Sequence, residues 1–291
     1  MWLYLAMSSA LALGVYDFVK KRSLIGNAVL PVLFLNTLIC ALIFSVLLFF
    51  ADDKLRSFED PSLHFKVFIK AVIVLLSWIL GYFGIKHVPL TIAGPINATR
   101  PVIVLLGALL VFGERLNLLQ WSGVAVSIIA FWLLSQSGKR EGIDFKKDKW
   151  IFMMVGAAIT GAASGLYDKY LLKSIDPLFV QTWFSIYQFV IMVPIIGLMW
   201  YPSRNKTTPF KWRWSIILIP LFLVLSDYLY FNSLSIDGSM VSVVSMIRRS
   251  SVLISFIFAV IFLGERNVKS KLVDLLLMII GLILIYFGTI K

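Results

Sequence analysis

Cysteine, histidine and glutamate are nearly missing from this chain. Cys40 is the only cysteine in 291 residues, so an intrachain disulfide is excluded and no thiol-based zinc or redox motif can form. His64 and His87 are the only histidines, too few for a histidine-based metal site. With four glutamates and no visible nucleophile–base constellation, a hydrolase is not expected. No GxxxxGK[ST] occurs, which excludes a single-chain ATP-driven pump, and neither cofactor nor metal is expected. Charge is scarce as well: 14% of residues are charged, against roughly a quarter in soluble domains.

What is present is apolar. Hydrophobic residues make up 60% of the chain and mean hydropathy is +0.92, which predicts an all-α integral membrane protein. The net charge of +12 would point to nucleic acid in a soluble protein. Here the basic residues sit mostly in short connectors between apolar runs, where they act as topogenic charge beside a bilayer, so no nucleic-acid partner is expected.

A helix needs about 20 apolar residues to cross the hydrocarbon core. Runs of that kind fall at 2–19, 28–50, 67–86, 90–112, 117–136, 151–172, 178–200, 214–234, 239–263 and 268–290, giving ten transmembrane helices. The first ends in Lys20, Lys21 and Arg22 without a small-residue cleavage site, so it reads as a helix and not a signal peptide.

The polar connector at 137–149 divides the ten spans into units of five, 1–136 and 150–291. A shift of 151 residues aligns them: Ala12, Gly14, Tyr16, Asp17 and Ser23 fall on Ala163, Gly165, Tyr167, Asp168 and Ser174. The same shift places Gly113-Glu114-Arg115 on Gly264-Glu265-Arg266. Five is odd, so the two repeats must cross the membrane in opposite senses, the inverted arrangement of many secondary transporters. Connectors on one side carry 16 Lys/Arg and those on the other carry 8. By the positive-inside rule the 137–149 connector is cytoplasmic and both termini lie outside.

Charges inside the spans are the functional signal. Arg100 lies mid-span, and Arg248 and Arg249 lie near the middle of the ninth. An arginine at helix centre costs about 2.5–3.5 kcal/mol on insertion scales, so these side chains should face the bundle interior. They either pair with buried carboxylates and hold the halves together or line a wet cavity. Ser242, Ser245 and Arg249 follow i, i+3, i+7 spacing and share a face; Arg248 points about 100° away and reads as the more structural of the pair. Pro95 and Pro101 bracket Asn97 and Arg100. Pro101 cannot donate to the Asn97 carbonyl, a break tolerated where protein or a water-filled cavity satisfies it. Asp227 is the best-embedded carboxylate, with Tyr230 on its face; it carries a proton, binds a substrate amine or neutralises an arginine. Trp78 and Tyr82, at i and i+4, either pack or form an aromatic wall. Asp17 and Asp168, near helix ends, suggest a shared structural task. Ala157, Gly161 and Gly165 repeat every fourth residue and fit close helix packing.

These features resemble the drug/metabolite transporter superfamily, EamA type: five-plus-five spans, Pro101-Val102 leading through an apolar run into Gly113-Glu114-Arg115-Leu116, and the second Gly-Glu-Arg at 264–266. At the same shift Pro101 meets Val252, so the second half departs from the proline pattern and the bend of its helix is left open. The resemblance implies a secondary transporter or exporter of small organic metabolites in the cell (inner or plasma) membrane, with a central cavity lined largely by spans 3, 4, 8 and 9. The expected substrate-binding set is Arg100, Arg249, Asn97, Trp78, Tyr82, Asp227, Tyr230 and Ser245, acting on an amino acid or related organic anion, with a coupling proton or counter-substrate as further partner. The alternative is a flippase for a lipid-linked sugar, or an exchanger of the nucleotide-sugar or sugar-phosphate type.

Overall fold

The computed structural model describes residues 2–50, 60–112, 116–139, 142–171, 175–236, 244, 247–265 and 268–290. Ser245, Ser242, Ser174 and Gly113-Glu114-Arg115 lie outside the described residues, as does Arg266.

Among the described residues every regular element is helical. The helices are α1 (Trp2–Leu24), α2 (Val29–Phe50), α3 (Pro61–His87), α4 (Leu90–Ala98), α5 (Arg100–Phe112), α6 (Leu118–Lys139), α7 (Lys149–Leu171), α8 (Pro177–Ile195), α9 (Ser215–Ser235), α10 (Ser251–Leu263) and α11 (Val268–Ile290). Nine candidate membrane spans are found among the described residues. The ninth span expected from sequence, 239–263, is described as helix at 244, at 247–249 and over α10.

Local chemistry sets several boundaries. Asp60 caps α3, accepting from the Ser62 N–H at 2.8 Å, and Pro61 takes the first helical position. The Ser62 hydroxyl and backbone hold that carboxyl below its ordinary range. Asp176 and Pro177 start α8 in the same way, because Pro lacks only an N–H that is orphaned there anyway. α3 therefore begins six residues before the expected 67, which moves Lys70 away from the end of the span.

The fourth span breaks at Thr99 as its prolines predict, and α4 and α5 are the two pieces. The ninth breaks too, without a proline. Ser250, 151 residues after Thr99, interrupts the helix between Arg249 and Ser251. The two breaks use one device. The Thr99 hydroxyl donates to the Ile96 carbonyl at 2.7 Å and the Ser250 hydroxyl to Ile247 at 2.6 Å. The backbone N–H of each bonds the same carbonyl, at 3.2 and 3.0 Å. A Ser or Thr bonded back to a preceding carbonyl bends a helix, so Val252 in place of proline does not straighten this one.

The main helix contacts join the halves: α1 packs on α9, α3 on α7, α2 on α8, α6 on α11 and α4 on α10. Small residues make these crossings close. A Cβ at Gly123 in α6 would fall 2.6 Å from the Gly281 carbonyl oxygen of α11, and one at Gly14 in α1 would fall 2.6 Å from the Ile254 Cβ of α10. The outer surface carries large exposed apolar side chains, among them Leu42, Val46, Ile128, Ile129, Val190, Ile257 and Ile261. Water would penalise so broad an apolar belt; lipid does not.

Candidate functional site

A cavity of about 230 Å³ lies between the halves, and every expected site residue that the structure describes lines it. α3 contributes Trp78 and Tyr82, the α4–α5 break Asn97 and Arg100, α9 Asp227 and Tyr230, and the segment before α10 Arg249. The two helix breaks thus put arginines at the cavity wall, one just after Thr99 and the others just before Ser250.

Three sequence expectations change. Asp17 and Asp168, expected near helix ends with a shared structural task, line the cavity as well. Arg248, expected to point away, lines it beside Arg249, because the turn at Ser250 follows immediately and regular helical spacing no longer governs the pair. The Gly161 and Gly165 stripe is cavity wall as well as packing surface. The Arg100 guanidinium lies on Gly161, where a Cβ would come within 2.7 Å of its Cζ, and nothing lies within 4 Å of a Cβ built at Gly165.

Lys20 and Lys70 also line the cavity and were missed as site residues. Lys20 belongs to the Lys20-Lys21-Arg22 cluster that reads as topogenic charge. Lys70 carries a signal in hindsight: Lys70, Val74, Ser77, Gly81 and Ile85 follow three- and four-residue spacing, one face of one helix.

The charges sort into pairs. Lys20 Nζ meets Asp17 Oδ1 at 2.7 Å, Lys70 pairs with Asp168, and Arg248 pairs with Asp227. Aromatic rings support the cations: Lys20 Nζ is 4.1 Å from the Tyr16 ring centroid, Lys70 Nζ 5.0 Å from that of Phe184, and Arg248 Cζ 4.2 Å from that of Tyr230. Such contacts are worth more where water is excluded. Five cations and three carboxylates therefore line the cavity, and each carboxylate has its own cation. Among the described residues Arg100 and Arg249 have no carboxylate partner. The buried Arg100 Nε and Asn97 Oδ1 atoms make no hydrogen bond.

Polar contacts cluster at the side where α1 ends and α4 begins. Lys21 donates to the carbonyls of Ile85 at 2.6 Å and Val88 at 2.7 Å. Glu265 accepts from the Leu90 and Thr91 N–H groups at 2.6 and 2.9 Å, and Lys271 donates to the Thr91 hydroxyl at 2.9 Å. A carboxylate suits a helix N-terminus, where the dipole is positive. The glutamate of the second Gly-Glu-Arg turn thus caps the broken helix of the other half. Asn27 adds a two-way clamp, donating to the Lys211 carbonyl at 2.7 Å and accepting from its N–H at 2.8 Å.

Comparison with known proteins agrees with this architecture. A solved crystal structure of another protein superposes with a TM-score of 0.66 over 97% of this chain and 94% of its own, at 12% identity, a likeness of fold alone. No curated protein matches the sequence. The EamA-like transporter family matches residues 1–136 and 148–287. Nearly the whole chain is covered, in two repeats that meet at the cavity, and the protein therefore belongs to the EamA-like transporter family, multi-pass membrane proteins of the drug/metabolite transporter superfamily that move small molecules across membranes.

Proposed function

We propose that the protein is a secondary transporter of small organic anions, amino acids among them, working by alternating access through the cavity between its halves. One observation carries the reading: two arginines, Arg100 and Arg249, face a cavity in which every carboxylate is already taken. In this role they hold the anionic group of the substrate, and Asn97 adds an acceptor beside them. Trp78, Tyr82 and Tyr230 pack its apolar part, with Ser245 contributing from the ninth span. Asp227 balances Arg248.

Cavity size favours a small cargo. Drug-sized ligands occupy roughly 300–1,000 Å³, and about 230 Å³ suits a metabolite better than a nucleotide sugar or a lipid-linked sugar. The units 1–136 and 150–291, joined by 137–149, act as inverted repeats in this reading. The helix pairings support it: α1 on α9 and α3 on α7 exchange under the repeat, while α2 on α8, α4 on α10 and α6 on α11 map onto themselves. We place the protein in the cell membrane with both termini outside. Lys20 and Lys70 belong to the cavity and leave the loop tally, but 15 Lys/Arg against 7 keep the same sign.

The test is efflux from proteoliposomes loaded with a mixed metabolite extract, read by mass spectrometry, for wild type, Arg100→Ala and Arg249→Ala. Selective loss of organic anions or amino acids, abolished in folded arginine variants, is expected. Flux indifferent to both arginines overturns the reading and moves it to the lipid-linked cargo.

A further inference from the structure

We infer that the cargo of this cavity carries two negative charges, as a phosphate monoester or a dicarboxylate does, one charge for each unpaired arginine. The inference rests on the cavity being the transport site.

Charge balance inside the cavity separates the classes of cargo it can hold. Lys20, Lys70 and Arg248 are each in an ion pair with Asp17, Asp168 and Asp227 respectively. Two of these cations are also committed geometrically: the Lys20 and Lys70 side chains are 8% and 4% exposed. What remains among the described residues is Arg100 and Arg249, a net charge of two.

Three classes of small cargo compensate that charge differently. A zwitterionic amino acid brings one carboxylate and one ammonium. Its ammonium finds each cavity carboxylate already paired and can recruit one only by orphaning Lys20, Lys70 or Arg248, which is costly because a buried charge is left alone. A monoanion satisfies one guanidinium and leaves the other uncompensated, and an unpaired charge away from bulk water is costly. A dianion neutralises both and breaks no existing pair. Guanidinium suits both candidate groups, since its planar fork matches carboxylate and phosphate oxygens alike. The buried Arg100 Nε makes no hydrogen bond within the protein.

Two isosteric pairs separate charge from shape. Purified protein in nanodiscs is titrated at pH 7.5, by calorimetry, with glycerol 3-phosphate and glycerol 3-sulfate, and with succinate and its monoamide. At least one dianion should bind about tenfold or more tightly than its singly charged partner, the scale that close charge pairs command. The pair that shows the preference identifies the phosphate or the dicarboxylate. Arg249→Gln and Arg100→Gln should each bring that ratio to about one, and Arg249→Lys should keep it while the charge is retained, so loss through misfolding is distinguished from loss of charge. Equal binding of the partners in both pairs overturns the inference, as does binding of none of the four. The underlying reading fails separately, if metabolite efflux is unchanged in both arginine variants.

Discussion

Arg248 and Arg249 are neighbours in the chain and opposites in their electrostatics. Arg248 is matched by Asp227 at comparable burial, 17% and 16% exposed, and its guanidinium rests over Tyr230. Asp227→Asn should leave Arg248 stranded and lower stability by about 2–4 kcal/mol. The double variant Asp227→Asn/Arg248→Gln should recover most of that loss. A melting double-mutant cycle reads the coupling, and additive losses would show that the pair does not act as a unit. Gly161 and Gly165 give a second contrast. A methyl on Gly161 meets the Arg100 guanidinium, whereas one on Gly165 meets open space. The guanidinium is the far end of a flexible chain and can move, so Gly161→Ala should cost under about 1 kcal/mol of stability yet reduce transport several-fold. Gly165→Ala should leave melting unchanged and transport close to wild type. Equal transport in the two would mean that the position of Arg100 over α7 is unimportant.

At the scale of elements, the two broken spans reach one geometry by different sequences. In the fourth, Pro95 and Pro101 flank the break and the Thr99 hydroxyl adds a bond to Ile96. In the ninth, the Ser250 hydroxyl on Ile247 has no proline to assist it. Ser250→Ala should therefore impair transport several-fold more than Thr99→Val, while either removes only about 1 kcal/mol of hydrogen bonding. Counterflow rates and melting temperatures, taken together, decide this; Thr99→Val as damaging as Ser250→Ala would contradict it. The α6–α11 crossing sets a different limit. The Cβ of any residue at 123 would press on the backbone of Gly281 and Ile285, which cannot step aside as a side chain can. Gly123→Leu should force the pair apart and lower folded yield sharply in fluorescence-detected size exclusion, by more than the 1–3 kcal/mol usual for overpacking.

For the whole molecule, the polar contacts at the α1–α4 end join the halves in this conformation. Glu265 reaches from the end of α10 to the first N–H groups of α4, Lys271 meets the same Thr91, and Asn27 grips Lys211. Opening that end must break these bonds, and weakening them should shift the population toward an open state, since the equilibrium moves by the difference in free energy between its two forms. Glu265→Gln removes the charge facing the helix N-terminus. In a Cys40→Ser background, a cysteine placed at Ile85 should react several-fold faster with a membrane-impermeant maleimide in the Glu265→Gln variant. An unchanged rate would assign Glu265 a static role.

How far the sequence reached is visible in particular residues. Apolar runs of span length, the 151-residue repeat and the scarcity of charge were sufficient for a helical membrane protein built in two halves, because hydropathy and repetition are local properties of the chain. Arg100, Arg249, Asn97, Trp78, Tyr82, Asp227 and Tyr230 were legible as cavity residues, since a polar side chain in the middle of a span has few other places to go. Lys20, Lys70, Asp17 and Asp168 were not, because near a helix end a charge is cheap and carries no such compulsion. Only the tertiary structure decided which cation each carboxylate neutralises. The repeated aspartates show why: Asp17 pairs within its own helix, with Lys20, whereas Asp168 pairs with Lys70 of α3, 98 residues away. Ion pairing depends on which helices touch, and from that contact alone come the two arginines left over for a cargo.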